Sequence, residues 1–411
     1  MSESNPSDIV YVVGIGADGI SGLSAAVHTY LDDAEVIFGS TRQLAGLTAS
    51  KMQTLVPWPS PLLPAIRGLL DEHAGARRVV LASGDPLTSG IGTTLLSLFG
   101  TDKIRILPGV SSTTLARARV GWSAESSDVI TVVGRHAARV LRSVGPARRL
   151  VVLSSDESSP AQIATLLTDA GYGASTLHVL GNLGAPDESR QSATARTWAT
   201  DAPTFPRLNV VCCECRPDPG TRILPTIPGL PDDAFDNDGQ LTKREIRASA
   251  LAHLAPIPGD LLWDVGAGAG SIAIEWMRAD PRCQAVAIEQ DATRATRMRA
   301  NAERLGVPDL HVAIGTAPQA FAGLPSPQAI FIGGGGTEEG IIEASWSALA
   351  PGGRLVAHAV TVQTEAVLMA AFSTHGGELS RLSVERLEPI GGFDGWSPAR
   401  AVVQWSAVKD G

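Results

Sequence analysis

LLWDVGAGAGSIAIEW, residues 261–276, decides how the second half of the chain is read. The apolar run LLWDV ends in Gly266, Gly268 and Gly270, and helical spacing begins at Ser271. Glycines let such a turn stay tight and let backbone approach a ligand closely. The helix that follows offers free N–H groups at its start. Asp264 stands just ahead of the turn, and Glu289 closes the next β-like run, AVAIE (285–289), where an acid can bond a ribose diol. The run after that, LHVAIG (310–315), leads into Gly315, Thr316 and Ala317, where an adenine edge fits. With Ala267 and Ala269 these residues outline a nucleotide-type site. A nicotinamide dinucleotide could use the same parts. Gly-x-Gly-x-Gly behind Asp264 favours a methionine carboxylate at the helix start over a pyrophosphate, and so favours S-adenosylmethionine.

Outward from that site the strand–helix rhythm continues. FIGGGG (331–336) ends the fourth run, where methyltransferases of base or side-chain amines often carry Asn/Asp-Pro-Pro-aromatic. Gly333, Gly334 and Gly335 remove side chains where a methyl acceptor would approach, which suits a large flat substrate; a plain loop is the alternative. RLVAHAV (354–360) carries His358, either a proton donor or a satisfied core histidine. LSRLSVERL (379–387) and ARAVVQWSAV (399–408) supply a closing pair of strands. The expected fold for 241–411 is α/β, a Rossmann-like class I methyltransferase sheet.

The first half has its own α/β rhythm: IVYVVGIG (9–16), EVIFG (35–39), RVVLASG (78–84), KIRILPG (103–109), VITVVG (129–134), RLVVLSS (149–155), STLHVLG (175–181) and LNVVCCEC (208–215). The pattern predicts mostly parallel strands in a domain over 1–215. Three polar loops follow strands: Gly14 and Gly16 in VVGIGADGI; Asp85, Thr88, Ser89 and Gly90 in ASGDPLTSGIGTT; Ser111 and Ser112 in LPGVSSTT. Loops of this kind at strand C-termini form a ligand crevice, or are ordinary turns. Residues 216–240 hold five prolines and read as an extended linker.

A net charge of −9 argues against a nucleic-acid partner. The 44% apolar and 18% charged content argues against a largely disordered chain. The N-terminus lacks signal-peptide features, and no apolar run approaches the ~18 residues of a membrane helix, so a cytoplasmic protein without a membrane partner is expected. Cys212, Cys213 and Cys215 crowd one run without a second ligand pair, which predicts buried thiols and no metal.

The segments VGIGADG, SGDPLTSGIG, LPGVSS and GNLGAPDE (181–188) resemble the tetrapyrrole methylase family. GLPDDAF, LTKREIR, WDVGAGAGSIAIEW, IFIGGGG and GGFDGW resemble the Rossmann-like methyltransferase that decarboxylates a corrin precursor. The resemblance implies two α/β subdomains in the first half and one S-adenosylmethionine per domain. It adds Thr242 to the second cofactor site. It implies methylation of precorrin-6B at carbon 5 by the first domain. The second domain would methylate carbon 15 and remove carbon dioxide from the ring C acetate, giving precorrin-8X. A carboxylate-rich tetrapyrrole calls for arginines: Arg42, Arg117 and Arg135 in the first half, Arg244 and Arg247 in the second. Trp396 and Phe393 would stack on the macrocycle or pack a sheet edge. Where the family suggests Glu-Asn-Leu, this chain reads Gly181-Asn182-Leu183. A homo-oligomer is the expected assembly. The competing functions are an RNA methyltransferase with an accessory domain, a nicotinamide-dependent oxidoreductase and a donor-binding scaffold.

Overall fold

The structure, a computed structural model, describes residues 8–48, 50, 52–334, 336 and 338–410. Two compact units emerge, one from residues up to 137 with 146–221, the other from 138–145 with 222 onward. No helix among the described residues is long and apolar enough to cross a membrane.

The first unit holds two sheets. β1 (Val10–Ile15), β2 (Val36–Gly39), β3 (Thr54–Pro57), β4 (Arg78–Ser83) and β5 (Ile104–Leu107) lie in the order β3-β2-β4-β1-β5, every pair parallel. Val12, Phe38 and Val80 are wholly buried. Such runs are apolar on both faces because helices cover both. β3 escapes a hydrophobicity reading: it is short, part-exposed and ends in Pro57, which an edge strand tolerates.

The second sheet comprises β6 (Asp128–Thr131), β7 (Arg149–Leu153), β8 (Thr176–Gly181), β9 (Ser189–Thr194) and β10 (Asn209–Glu214), ordered β6-β7-β10-β8-β9. Only β6–β7 is parallel here, so the expectation of mostly parallel strands holds for the first sheet alone. The cause is local. β8 returns through a short loop into β9, and a connection that short can only make an antiparallel pair. β9, SRQSAT, has no apolar run to announce it. Cys212, Cys213 and Cys215 are buried at β10; no metal-ligand cluster of three or more occurs among the described residues.

The second unit is built on β11 (Leu261–Val265), β12 (Gln284–Glu289), β13 (His311–Ile314), β14 (Ala329–Ile332), β15 (Arg354–Ala359), β16 (Glu378–Leu382) and, after the hairpin β17 (Glu385–Ile390) and β18 (Phe393–Pro398), β19 (Val402–Val408). The order is β13-β12-β11-β14-β15-β19-β16, with β19 antiparallel to both neighbours. Strand order reverses direction at β11, and a crevice opens at such a switch point. The run 379–387 does not continue as one strand: β17 leaves the sheet and pairs only with β18. Leu387, Ile390, Phe393 and Trp396 are exposed along this hairpin.

Upstream of β11, Leu230, Ala234 and Phe235 are buried in the same core as Trp276 and Phe331. Arg247 fixes this stretch. Its guanidinium is wholly buried, pairs with Glu275 at 2.6 Å and donates to the carbonyls of Leu230 and Thr242. Glu275 in turn accepts the N–H of Gly229 (2.5 Å) and Leu230 (3.0 Å). The sequence-based expectation that Arg247 faces a substrate cleft is therefore corrected. A buried charge persists only when paired and bonded, and Arg247 spends its donors on doing so.

Candidate active site

At the C-terminal ends of β11, β12 and β14 lies a cavity of 510 Å³. The glycine turn forms its floor. Gly266, Gly268 and Gly270 have φ of +69°, +58° and +79°, a region L side chains rarely adopt. A Cβ on Gly266 would stand 2.8 Å from the Gly334 carbonyl oxygen, so the loops after β11 and β14 meet backbone to backbone. Gly266, Ala267, Gly268 and Ala269 line the cavity; Gly270 turns the chain into the helix Ser271–Ala279.

Two carboxylates flank this turn. Glu289 is buried; one oxygen accepts the Gly268 N–H at 2.8 Å and the other the Asp291 N–H at 3.0 Å. It thus braces the turn while facing the cavity. Asp264 accepts the Ala273 N–H at 3.0 Å through Oδ2, while Oδ1 is buried without a partner. Burial first, and the nearby charge of Glu289 second, push its carboxyl up to about 7. An orphan oxygen beside a cavity is costly unless a ligand donor completes it. The residues present therefore fit a donor molecule with a cationic amino group, a carboxylate for the helix start and a ribose for Glu289.

Thr242, Gly315, Thr316 and Ala317 also line the cavity, as do Gly333 and Gly334. Gly335 lies outside the described residues. His358 lines the wall, edge-on to Phe331 at 5.0 Å, with Nε2 3.0 Å from the Gln404 side chain. Burial pushes its pKa down to about 4, so the ring is neutral near pH 7. Trp396 is not brought to the cavity; it sits on β18, 67% exposed, and Phe393 is 84% exposed. Arg244 is exposed. Sequence reasoning missed a basic rim: Lys243, Arg294, Arg386 and Arg400 line the cavity. Arg386 is tied to Glu245 at 2.6 Å and Arg294 to Asp238 at 2.7 Å, whereas Arg400 has no protein partner among the described residues. No local spacing signals this rim, because β17 and the β18–β19 connection meet only after folding.

In the first unit the three predicted loops do come together. A Cβ on Gly14 would run into the Gly84 carbonyl and the Gly109 nitrogen, and one on Gly109 would stand 2.8 Å from both Gly14 and Gly84 oxygens. Gly16 faces the Asp18 carboxylate. Asp85 accepts the Leu87 N–H at 2.9 Å and the Thr88 hydroxyl at 3.0 Å, folding its loop on itself. Ser89 has φ of +54°, a strained value for serine, and a Cβ on Gly90 would crowd the Pro86 carbonyl at 2.6 Å. Ser111 caps the helix Ser112–Val120. Arg42 and Arg135 are exposed. Arg117 instead bonds Ser127 at 2.8 Å and serves the fold. The departure at Gly181 has a steric cause: a Cβ there would meet Pro206 and lie 2.7 Å from the Ser189 hydroxyl, so glutamate has no room. Nearby Glu188 is held by Arg119 at 2.5 and 3.0 Å.

Residues 9–199 match the tetrapyrrole (corrin/porphyrin) methylases, and residues 233–409 match a precorrin methyltransferase domain. The chain is 47% identical over 403 residues to precorrin-6Y C(5,15)-methyltransferase [decarboxylating] of Mycobacterium tuberculosis (strain CDC 1551 / Oshkosh), covering 98% of this chain and 100% of the relative. It is 43% identical over 412 residues to the protein of the same name from Sinorhizobium sp, covering 100% and 99%. The crystal structure of the C-terminal domain of precorrin-6Y C5,15-methyltransferase from Rhodobacter capsulatus matches with a TM-score of 0.43 at 43% identity, covering 45% of this chain and 100% of that one.

Proposed function

The chain belongs to the family of decarboxylating precorrin-6Y C(5,15)-methyltransferases, and from that premise we propose how its two sites divide the work. It is an S-adenosylmethionine-dependent methyltransferase of cobalamin biosynthesis that methylates and decarboxylates a precorrin. In our reading each domain takes its own S-adenosylmethionine. The second domain methylates carbon 15 of precorrin-6B and decarboxylates the ring C acetate; the first methylates carbon 5; the product is precorrin-8X. The relatives act, by name, on a precorrin, which counts against an RNA acceptor.

S-adenosylmethionine supplies a methyl group activated on a sulfonium centre. The chain supplies position. Ionised Asp264 would hold the amino group, the start of the Ser271–Ala279 helix and the Gly268 loop the carboxylate, and Glu289 the ribose, while Thr316 and Ala317 would border the base. Thr242, held through its carbonyl by Arg247, closes the opposite side. In the first domain the loops of Gly14 and Gly16, of Asp85 to Gly90, and of Ser111 and Ser112 form the corresponding crevice. Positioning a nucleophilic carbon against an activated methyl provides most of the acceleration such a transfer needs.

Decarboxylation breaks the bond to the carboxylate carbon, sends its electron pair into the conjugated ring, releases carbon dioxide and leaves a methylene that takes a proton. Phe331, Ile341 and Val402 keep that region of the cavity apolar. Arg386, Arg400 and Lys243 at the rim suit the carboxylates that do not react, with Arg42 and Arg135 candidates for the same task in the first domain. The unpartnered oxygen of Asp264, buried at the wall of a glycine-floored cavity, carries this reading. Incubation with cobalt-free precorrin-6B and methyl-labelled donor tests it by mass spectrometry. Two methyl groups gained and one carbon dioxide lost is the expected product. Donor binding with no mass change would sink the substrate assignment.

A further inference from the structure

Behind His358 a chain of polar side chains crosses the sheet to the surface. His358 on β15 and Gln404 on β19 are register partners, with Nε2 of the ring 3.0 Å from the amide. The other end of that amide lies 3.1 Å from Nδ1 of His253, on the helix Arg244–Leu254. His253 Nδ1 is also 2.9 Å from the Ser249 carbonyl oxygen, and its Nε2 is 3.8 Å from the Glu378 carboxylate. Gln404 is 1% exposed.

The hydrogens on this chain are dictated by the member that has no choice. A carbonyl oxygen only accepts, so the nitrogen facing Ser249 carries a hydrogen, whether His253 is neutral or charged. An Nδ1–H cannot accept from an amide NH2. Gln404 satisfies both histidines only with its oxygen toward His253 and its NH2 toward His358, a half-turn from the orientation with Oε1 facing His358; the two ends of an amide are assigned by their partners. His358 Nε2 must then offer a lone pair. A neutral imidazole has one N–H, and on His358 it falls on Nδ1. That nitrogen has no protein partner among the described residues, and the residue lines the cavity.

We propose that Gln404, oriented by His253, is a positioning residue that holds His358 as the Nδ1–H form, so that a neutral donor faces the cavity and orients the departing carboxylate. The inference rests on the cavity being the decarboxylation site. A neutral N–H aligns the breaking bond with the ring without the charge pairing that would oppose loss of the carboxylate. Burial keeps the ring neutral, in line with that role.

The test is nitrogen NMR of the full chain labelled at histidine, with His358→Asn to assign the resonance. The wild type should show His358 protonated on Nδ1. Gln404→Glu, which offers only acceptors, should move the hydrogen to Nε2 and lower decarboxylation turnover about tenfold or more, with precorrin KM and donor affinity held. His358 protonated on Nε2 in the wild type would overturn the proposal, as would a Gln404→Glu protein whose tautomer inverts while turnover stays. Calorimetry of S-adenosylmethionine with wild type and Asp264→Asn separates the two levels: no dependence of binding on Asp264 would fail the site reading, whatever the tautomer proves to be.

Discussion

Replacing Asp264 with asparagine should stabilise the ligand-free protein at alkaline pH and weaken its hold on the donor. Asp264 is buried, its Oδ1 has no partner, and its pKa rises from 3.8 to about 7. A raised carboxyl pKa means the native state binds the proton more tightly than the unfolded chain does, so stability falls as pH climbs from 3.8 toward 7 and levels off above it. At about 1.4 kcal/mol per pH unit the full penalty is about 4 kcal/mol, of which about 2.5 kcal/mol develops between pH 5 and 8. Asparagine still accepts the Ala273 N–H but buries an unpaired NH2, at a pH-independent cost of about 1–3 kcal/mol. The variant should therefore gain about 2.5 kcal/mol on the wild type between pH 5 and 8, wherever the baseline falls. Urea melts followed by tryptophan fluorescence report it, since five of the eight tryptophans lie in the second unit. A stability difference that is the same at both pH values would refute the assignment of a strained, ionising carboxyl. Donor affinity of the wild type should fall as pH drops below 7, and that slope should vanish in the variant.

Gly14→Ala forces a methyl group into the backbone of the loops after β4 and β5; it should abolish carbon-5 methylation while sparing decarboxylation, leaving a singly methylated product visible by mass spectrometry. Arg247→Met strips Glu275 of its guanidinium inside the core and should cost about 3–5 kcal/mol, toward the lower end because two backbone N–H groups remain on the carboxylate. A donor Kd that holds while stability falls would show that Arg247 does not shape the Thr242 side of the site. Arg400→Ala should raise the precorrin KM about three- to tenfold with kcat unchanged, the pattern of lost uniform binding; a kcat loss instead would place this side chain at the chemistry. Gly181→Ala should destabilise the first domain, and Pro206→Ala in the same chain should recover part of the loss.

The glycine turn after β11 and the acid ending β12 are legible because their geometry is local: positive φ and a helix start are written in adjacent residues. The parallel sheet of β1 to β5 is legible because burial on both faces leaves unbroken apolar runs. β3 and β9 are not, since edge strands need no such run. Arg247 cannot be told from a surface arginine by its neighbours in sequence, because its partner Glu275 lies on another helix. Gln404 and His253 form one network only through the antiparallel return of β19. Trp396, read as stacking on the macrocycle or packing a sheet edge, lies on a hairpin that leaves the sheet where the sequence reads as one continuous strand.

Leu230, Ala234 and Phe235, together with the Leu230 carbonyl gripped by Arg247, make the stretch from residue 222 onward part of the second unit's interior rather than a tether to it. Anyone dissecting the chain into separately expressed halves should cut near 221 and not at 241, where the α/β rhythm resumes in the sequence. The shorter piece would strip Glu275 of the Gly229 and Leu230 N–H groups and Arg247 of the Leu230 carbonyl, and should melt early.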